Sequence, residues 1–205
     1  MKVFLNEKFV TISGEVGIIP QGQLVSVIRL QGCNLRCSYC DAMDSQGLSL
    51  ENGENLDSLV EWVNDNDLPL LITGGEPLLQ IEIVEILVRR LSEHLPVQVE
   101  TNGTMPVFGI PSNVCVVMDY KLDNPPDTEN LMLLQSNDYL KFVVSSVAEL
   151  NLTMNIINMF NADFKPTIAI SATDKALYPE IIEEIKSRNR RVLVNTQIHK
   201  FIGVR

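Results

Sequence analysis

The sequence predicts an α/β fold on a mostly parallel sheet. Short apolar, β-branched runs recur along the chain, and longer segments with apolar residues at helical spacing lie between them. The polar and glycine-rich signatures fall just after the apolar runs, where parallel α/β folds bind their ligands.

In chain order, residues 24–31 (LVSVIRLQ), 68–73 (LPLLIT), 97–101 (VQVET) and 114–119 (VCVVMD) read as buried strands. So do 139–145 (YLKFVVS), 166–171 (PTIAIS) and 191–196 (RVLVNT), because strands covered on both faces are nearly continuous in apolar residues. Helical spacing marks 56–65 (LDSLVEWVND), 77–94 (PLLQIEIVEILVRRLSEH), 146–160 (SVAELNLTMNIINMF) and 174–189 (DKALYPEIIEEIKSRN). Residues 121–138 break the alternation, and Pro125-Pro126 there predicts a loop. There is no repeat, low-complexity tail or linker, so residues 1–205 are expected to form one domain.

Composition narrows the function. An apolar share of 45% and a charged share of 20% are those of a globular protein. No apolar run reaches the roughly 18 residues of a membrane span, and the N-terminus lacks the pattern of a secretory signal. The expected compartment is therefore the cytoplasm, where thiols stay reduced. A net charge of −10 argues against a nucleic-acid partner. The one basic cluster, residues 186–192 (KSRNRRV), sits where a helix should end and complements its dipole. His94, in the polar end of the second helical segment, reads as solvated.

Three of the four cysteines, Cys33, Cys37 and Cys40, lie together as C-x3-C-x2-C, whereas Cys115 sits inside an apolar strand and reads as core. A disulfide staple conflicts with a reducing compartment. A structural zinc site would need a fourth ligand, and no histidine is near. Three thiolates on a short loop suit a [4Fe–4S] cluster with one iron left open to a small molecule.

With Tyr39 before its last cysteine, this loop resembles the signature of the radical S-adenosylmethionine (SAM) superfamily. The resemblance implies an incomplete (β/α) barrel. It also implies that the open iron binds the amino and carboxylate groups of SAM, whose reductive cleavage gives a 5′-deoxyadenosyl radical. ITGGEP (72–77) follows a strand and opens a helix, and resembles the glycine motif that meets the SAM amino group. ETNG (100–103) matches the next SAM-lining segment, and DYKL (119–122) continues the likeness. The cofactor residues so implied are Tyr39, Asp41, Gly74, Gly75, Glu76, Glu100, Asn102, Asp119 and Lys121.

LNEKFVTISGEVG (5–17) and NTQIHKFIGVR (195–205) are similar to the ends of 7-carboxy-7-deazaguanine synthases, so the likeness runs over nearly the whole chain. That family converts 6-carboxy-5,6,7,8-tetrahydropterin to 7-carboxy-7-deazaguanine, a queuosine and deazapurine precursor, with loss of ammonia. It is a carbon–nitrogen lyase that uses Mg²⁺, takes electrons from flavodoxin or ferredoxin, and is usually homodimeric. Arg29 suits the substrate carboxylate and Glu15 the amidine-like edge of the pterin. Ser13, Gly14, Thr73, Gln197, His199 and the last residue, Arg205, complete the implied substrate set. A glycyl-radical enzyme activating protein, with the same fold and cysteine spacing, is the alternative. It would not need Arg29, Glu15 or the Gln197–His199 tail.

Three departures stand out. Gly14-Glu15-Val16-Gly17 replaces the usual Gly-Glu-Gly. The segment after Lys121 lacks the Pro-Ser-Ser of many relatives. Ala42 stands where relatives carry the Thr or Ser hydroxyl that binds Mg²⁺, so Mg²⁺ would use other oxygens, for which Asp41 and Asp44 are candidates, bind more weakly, or be absent.

Overall fold

The structure is a computed structural model and describes residues 1–38, 40, 42–49, 53–161, 163–188 and 191–204. Its strands and helices are β1 (Lys2–Ile12), β2 (Leu24–Leu30), β3 (Gly53–Asn55), α1 (Leu56–Asn66), β4 (Leu70–Gly74), α2 (Ile81–Leu91) and β5 (Val97–Thr101). There follow β6 (Cys115–Tyr120), α3 (Thr128–Leu133), β7 (Tyr139–Val144), α4 (Val147–Met159), β8 (Thr167–Ala172), α5 (Tyr178–Arg188), β9 (Val192–Val194) and α6 (Ile198–Ile202). Among the described residues they make one sheet in the order β3-β1-β2-β4-β5-β6-β7-β8-β9. All neighbours from β2 to β9 are parallel, and β1 is antiparallel to both β2 and β3.

The sheet is open at β3 and β9, as an incomplete barrel requires. Its outer face carries the helices. Ile28, Leu30, Leu140, Phe142 and Val144 point there and join Leu59, Val84, Leu87, Leu150 and Ile181 in the main core. The inner face alternates with them. On β2, Val25 and Val27 pack with Ile19 from the β1–β2 connection, which plugs the base of the interior. The two sides of the open sheet are joined by polar contacts: Ile198 N–H donates to Gly14 O (3.0 Å) and Val16 N–H to Asn195 Oδ1 (3.0 Å).

Local chemistry sets the helix starts. Asn55 Oδ1 accepts from the backbone of Asp57 and Ser58 at α1, and Ser146 Oγ from Glu149 at α4. The basic residues 186 and 188 close α5, paired to Glu183 and Glu184.

The predicted strands and helices are present; the short β3 and α6 are additions to them, and three further differences stand out. Strand β1 was not expected: its register slips between Leu5 and Glu7, which breaks the apolar alternation. Residues 121–138 contain α3 because Pro125-Pro126 bar helix only up to themselves, and Asp127 Oδ1 then caps Glu129 N–H at 3.0 Å. Strand β9 is shorter than residues 191–196, and as an edge strand it leaves Leu193 and Val194 exposed rather than buried.

Candidate active site

The carboxyl ends of the parallel strands surround a cavity of about 430 Å³. Cys33, Cys37 and Cys40 line it as free thiols on the loop after β2. Backbone bonds fix the root of this loop: Gly32 N–H to Ser45 O (2.8 Å), Cys33 N–H to Gln46 O (3.2 Å) and Glu76 N–H to Gly32 O (2.7 Å). Leu35 N–H points at Cys33 Sγ (3.4 Å), as donors do at cluster thiolates. Among the described residues no three His, Cys, Asp or Glu side chains are already gathered as a metal site. Burial raises the Cys33 thiol above its ordinary range. Loop, donor and thiols fit the implied cluster.

The glycine motif packs directly on this loop. A Cβ on Gly75 would lie 2.3 Å from Gly32 O and 2.7 Å from the Cβ of Cys33, and one on Gly74 would lie 2.3 Å from Leu30 O. Both positions demand glycine because of close backbone approach.

Glu76 has a structural role. It is fully buried and lies outside the cavity lining. Its carboxylate accepts from Asn102 N–H (2.7 Å), Thr101 Oγ1–H (2.8 Å) and Leu78 N–H (3.0 Å). It thereby ties the glycine turn to ETNG, while burial pushes its pKa up. Asn34 joins the cysteine loop to the same segment, donating to Thr104 Oγ1 (2.7 Å) and accepting from Asn102 Nδ2 (3.1 Å).

Beyond the cysteines the cavity wall is charged. Arg29 Nε pairs with Glu7 Oε1 at 2.9 Å, so a bidentate grip on a substrate carboxylate would use the two terminal nitrogens. Thr73 Oγ1 donates to Glu100 Oε2 (3.2 Å). Burial pushes Glu100 up to about 7, partly offset by the nearby Lys141 cation. Lys121 Nζ meets Asp119 Oδ2 at 3.0 Å. Glu15 accepts from Gln197 Nε2 (2.6 Å), Asn195 Nδ2 (3.1 Å) and Lys141 Nζ (2.6 Å). Burial opposes its ionisation, but Lys141 and these donors prevail and hold its pKa below the ordinary carboxylate value.

His199 lies against Gly14 so closely that a Cβ there would fall 1.7 Å from Nδ1. Ser13 anchors the turn through its Oγ to Ile19 O (3.1 Å). Ser13, Gly14, Glu15, Arg29, Thr73, Gly74, Gly75, Glu100, Asn102, Asp119, Lys121, Gln197 and His199 all line the cavity, as does Ala42. Tyr39, Asp41 and Arg205 lie outside the described residues. Asp44 is exposed and absent from the lining.

Sequence reasoning missed Glu7, Lys141 and Asn195. Lys141 alone carried a signal, as one charge inside an apolar strand run. Cys115 is buried core as expected, its thiol pushed up to about 12 by burial.

Fold and site together define a radical SAM protein: the sequence profile of the Radical SAM superfamily matches residues 27–124. The chain is 38% identical to the 7-carboxy-7-deazaguanine synthase of Clostridium acetobutylicum, over 96% of this chain and 94% of that one. It is 36% identical to the enzyme of the same name from Methanospirillum hungatei, over 97% and 84% respectively. The chain therefore belongs to the 7-carboxy-7-deazaguanine synthase family. The crystal structure of QueE from Escherichia coli shares the fold with a TM-score of 0.76 at 22% identity, covering 96% of this chain and 94% of that one.

Proposed function

We infer that this protein converts 6-carboxy-5,6,7,8-tetrahydropterin to 7-carboxy-7-deazaguanine with loss of ammonia. The observation that carries the inference is one cavity holding the three-cysteine loop on one wall and Glu15, paired to Lys141, with Arg29 on another. Cys33, Cys37 and Cys40 would hold the [4Fe–4S] cluster, and Gly74, Gly75, Asn102, Asp119 and Lys121 would receive SAM. When bound, cluster and SAM supply one-electron cleavage of the sulfonium and abstraction of a hydrogen from the substrate.

The chain's own residues bind and orient the pterin. Arg29 faces its carboxylate, Glu15 accepts from its amidine-like N–H groups, and Thr73, Gln197 and His199 complete the polar frame. Ala42 presents a methyl group where relatives present a hydroxyl, so any Mg²⁺ held here would rely on oxygens other than that side chain's. Flavodoxin or ferredoxin is the electron donor. The active form is a cytoplasmic homodimer in which residues 1–205 form a single radical SAM domain. No helix among the described residues is long and apolar enough to cross a membrane. The glycyl-radical activating alternative has no use for the charged wall around Glu15.

Anaerobic incubation of the reconstituted, reduced protein with SAM and the carboxytetrahydropterin tests the inference. The deazaguanine chromophore and ammonia should appear, and Cys33→Ala should give neither. No chromophore from a protein that holds four irons would overturn it.

A further inference from the structure

Lys141 stands in the middle of β7, between Leu140 and Phe142, which point into the helix-side core. Its own side chain points the other way, into the cavity, and is only 6% exposed. An ammonium is rarely taken out of water at such depth without compensation, because desolvation costs several kcal/mol. Here the compensation comes from three other strands and loops. Glu15 Oε2 lies at 2.6 Å, from the β1–β2 connection. Asp119 Oδ1 lies at 3.4 Å, from the end of β6. Glu100, at the end of β5, is within electrostatic reach.

The three carboxylates are not equally dependent on this cation. Asp119 has a second partner in Lys121. Glu100 is held by a neutral hydroxyl and is already pushed towards its protonated form. Among the described residues the side-chain partners of Glu15 besides Lys141 are neutral amides, Gln197 and Asn195. Its burial favours protonation, and the nearby Asp119 charge adds to that. A protonated Glu15 would turn an acceptor into a donor and face the N–H edge of a pterin with the wrong polarity.

We propose that Lys141 is a positioning residue for the substrate, acting through Glu15. Its ammonium keeps the Glu15 carboxylate ionised and fixes the Oε2 oxygen, so that Glu15 meets the pterin edge as an acceptor. The assignment rests on the carboxytetrahydropterin reading above. It goes beyond that reading by making one buried cation, remote in sequence from every motif, a determinant of substrate recognition.

The experiment compares wild type, Lys141→Met, Glu15→Gln and the double variant Lys141→Met/Glu15→Gln, each reconstituted with iron and saturated with SAM. The readouts are equilibrium binding of carboxytetrahydropterin across pH, KM and kcat, iron content and thermal midpoint. Wild-type turnover is established first, since its failure would refute the substrate reading and not the role of Lys141.

Lys141→Met should bind the pterin roughly 10- to 100-fold more weakly near neutral pH, the range for losing a hydrogen bond to a charged group. Iron content should be unchanged. Affinity should recover as pH rises and Glu15 ionises without help, a profile that a merely structural defect would not produce. The double variant should bind no worse than Glu15→Gln alone, because Lys141 acts through that carboxylate. This comparison also decides the matter should Lys141→Met by itself fail to fold, since the double variant removes both charges of the pair. Additive losses in the double variant, or a pH-independent loss in Lys141→Met, would overturn the proposal.

Discussion

At the scale of single residues, two positions carry chemistry that can be titrated. Glu100 is one. Its folded pKa of about 7 lies above the ordinary 4.5, so the folded state binds its proton more tightly than the unfolded chain does. The stability this group contributes is complete below about pH 4.5 and is lost as pH rises through about 7. Glu100→Gln removes that dependence. The stability of wild type relative to the variant should therefore fall between about pH 5 and about pH 8, which thermal midpoints at both values will show. Ala42 is the other position. Exchanging a fixed hydroxyl for a water that must be immobilised weakens a Mg²⁺ site without abolishing it. Ala42→Thr should lower the Mg²⁺ concentration that half-saturates turnover. Identical titrations that show tight, essential Mg²⁺ in both forms would mean that another side chain has taken the place of the hydroxyl.

At the scale of elements, the site depends on how three strand-end loops hold one another. Glu76 is the joint between two of them, and Asn34 ties in the third. Glu76→Ala strands the Asn102 and Leu78 amides and the Thr101 hydroxyl in a buried setting. Each orphaned donor costs about 1–3 kcal/mol before any relaxation. Allowing for relaxation, a net loss of about 3 kcal/mol is expected in denaturant unfolding. SAM affinity should weaken in parallel, because ETNG and the glycine turn lose their common support. If Glu76→Ala keeps wild-type stability and loses only SAM, the carboxylate touches the cofactor and is no joint.

At the scale of the whole molecule, most of the architecture was legible in the sequence. Strands β2 and β4 to β8 are covered on both faces, and that requirement writes them as continuous apolar runs. A parallel sheet gathers its strand ends at one rim, so loops far apart in sequence could be assigned to one site from order alone. Strand β1 was hidden by its bulge, whereas β9 was legible as a strand and only its burial was misjudged, because an apolar run at a sheet edge stays exposed. In the site, the residues that touch the cavity from strand ends were legible, but those that hold them were not. Glu7, Asn195 and Lys141 act on Arg29 and Glu15 from other strands and loops. Nothing local marks such long-range pairs, except that an ammonium inside a buried strand must find an anion. The central claim is that radical SAM chemistry and a pterin-recognising charged wall share this one cavity. Its most direct test is a single anaerobic assay that counts deazaguanine formed against SAM consumed. The likeness to the 7-carboxy-7-deazaguanine synthases implies that SAM is regenerated in each cycle, so the account predicts many turnovers of carboxytetrahydropterin per SAM lost, with ammonia released in equal amount to product. SAM cleaved to methionine with the pterin left unchanged would contradict it.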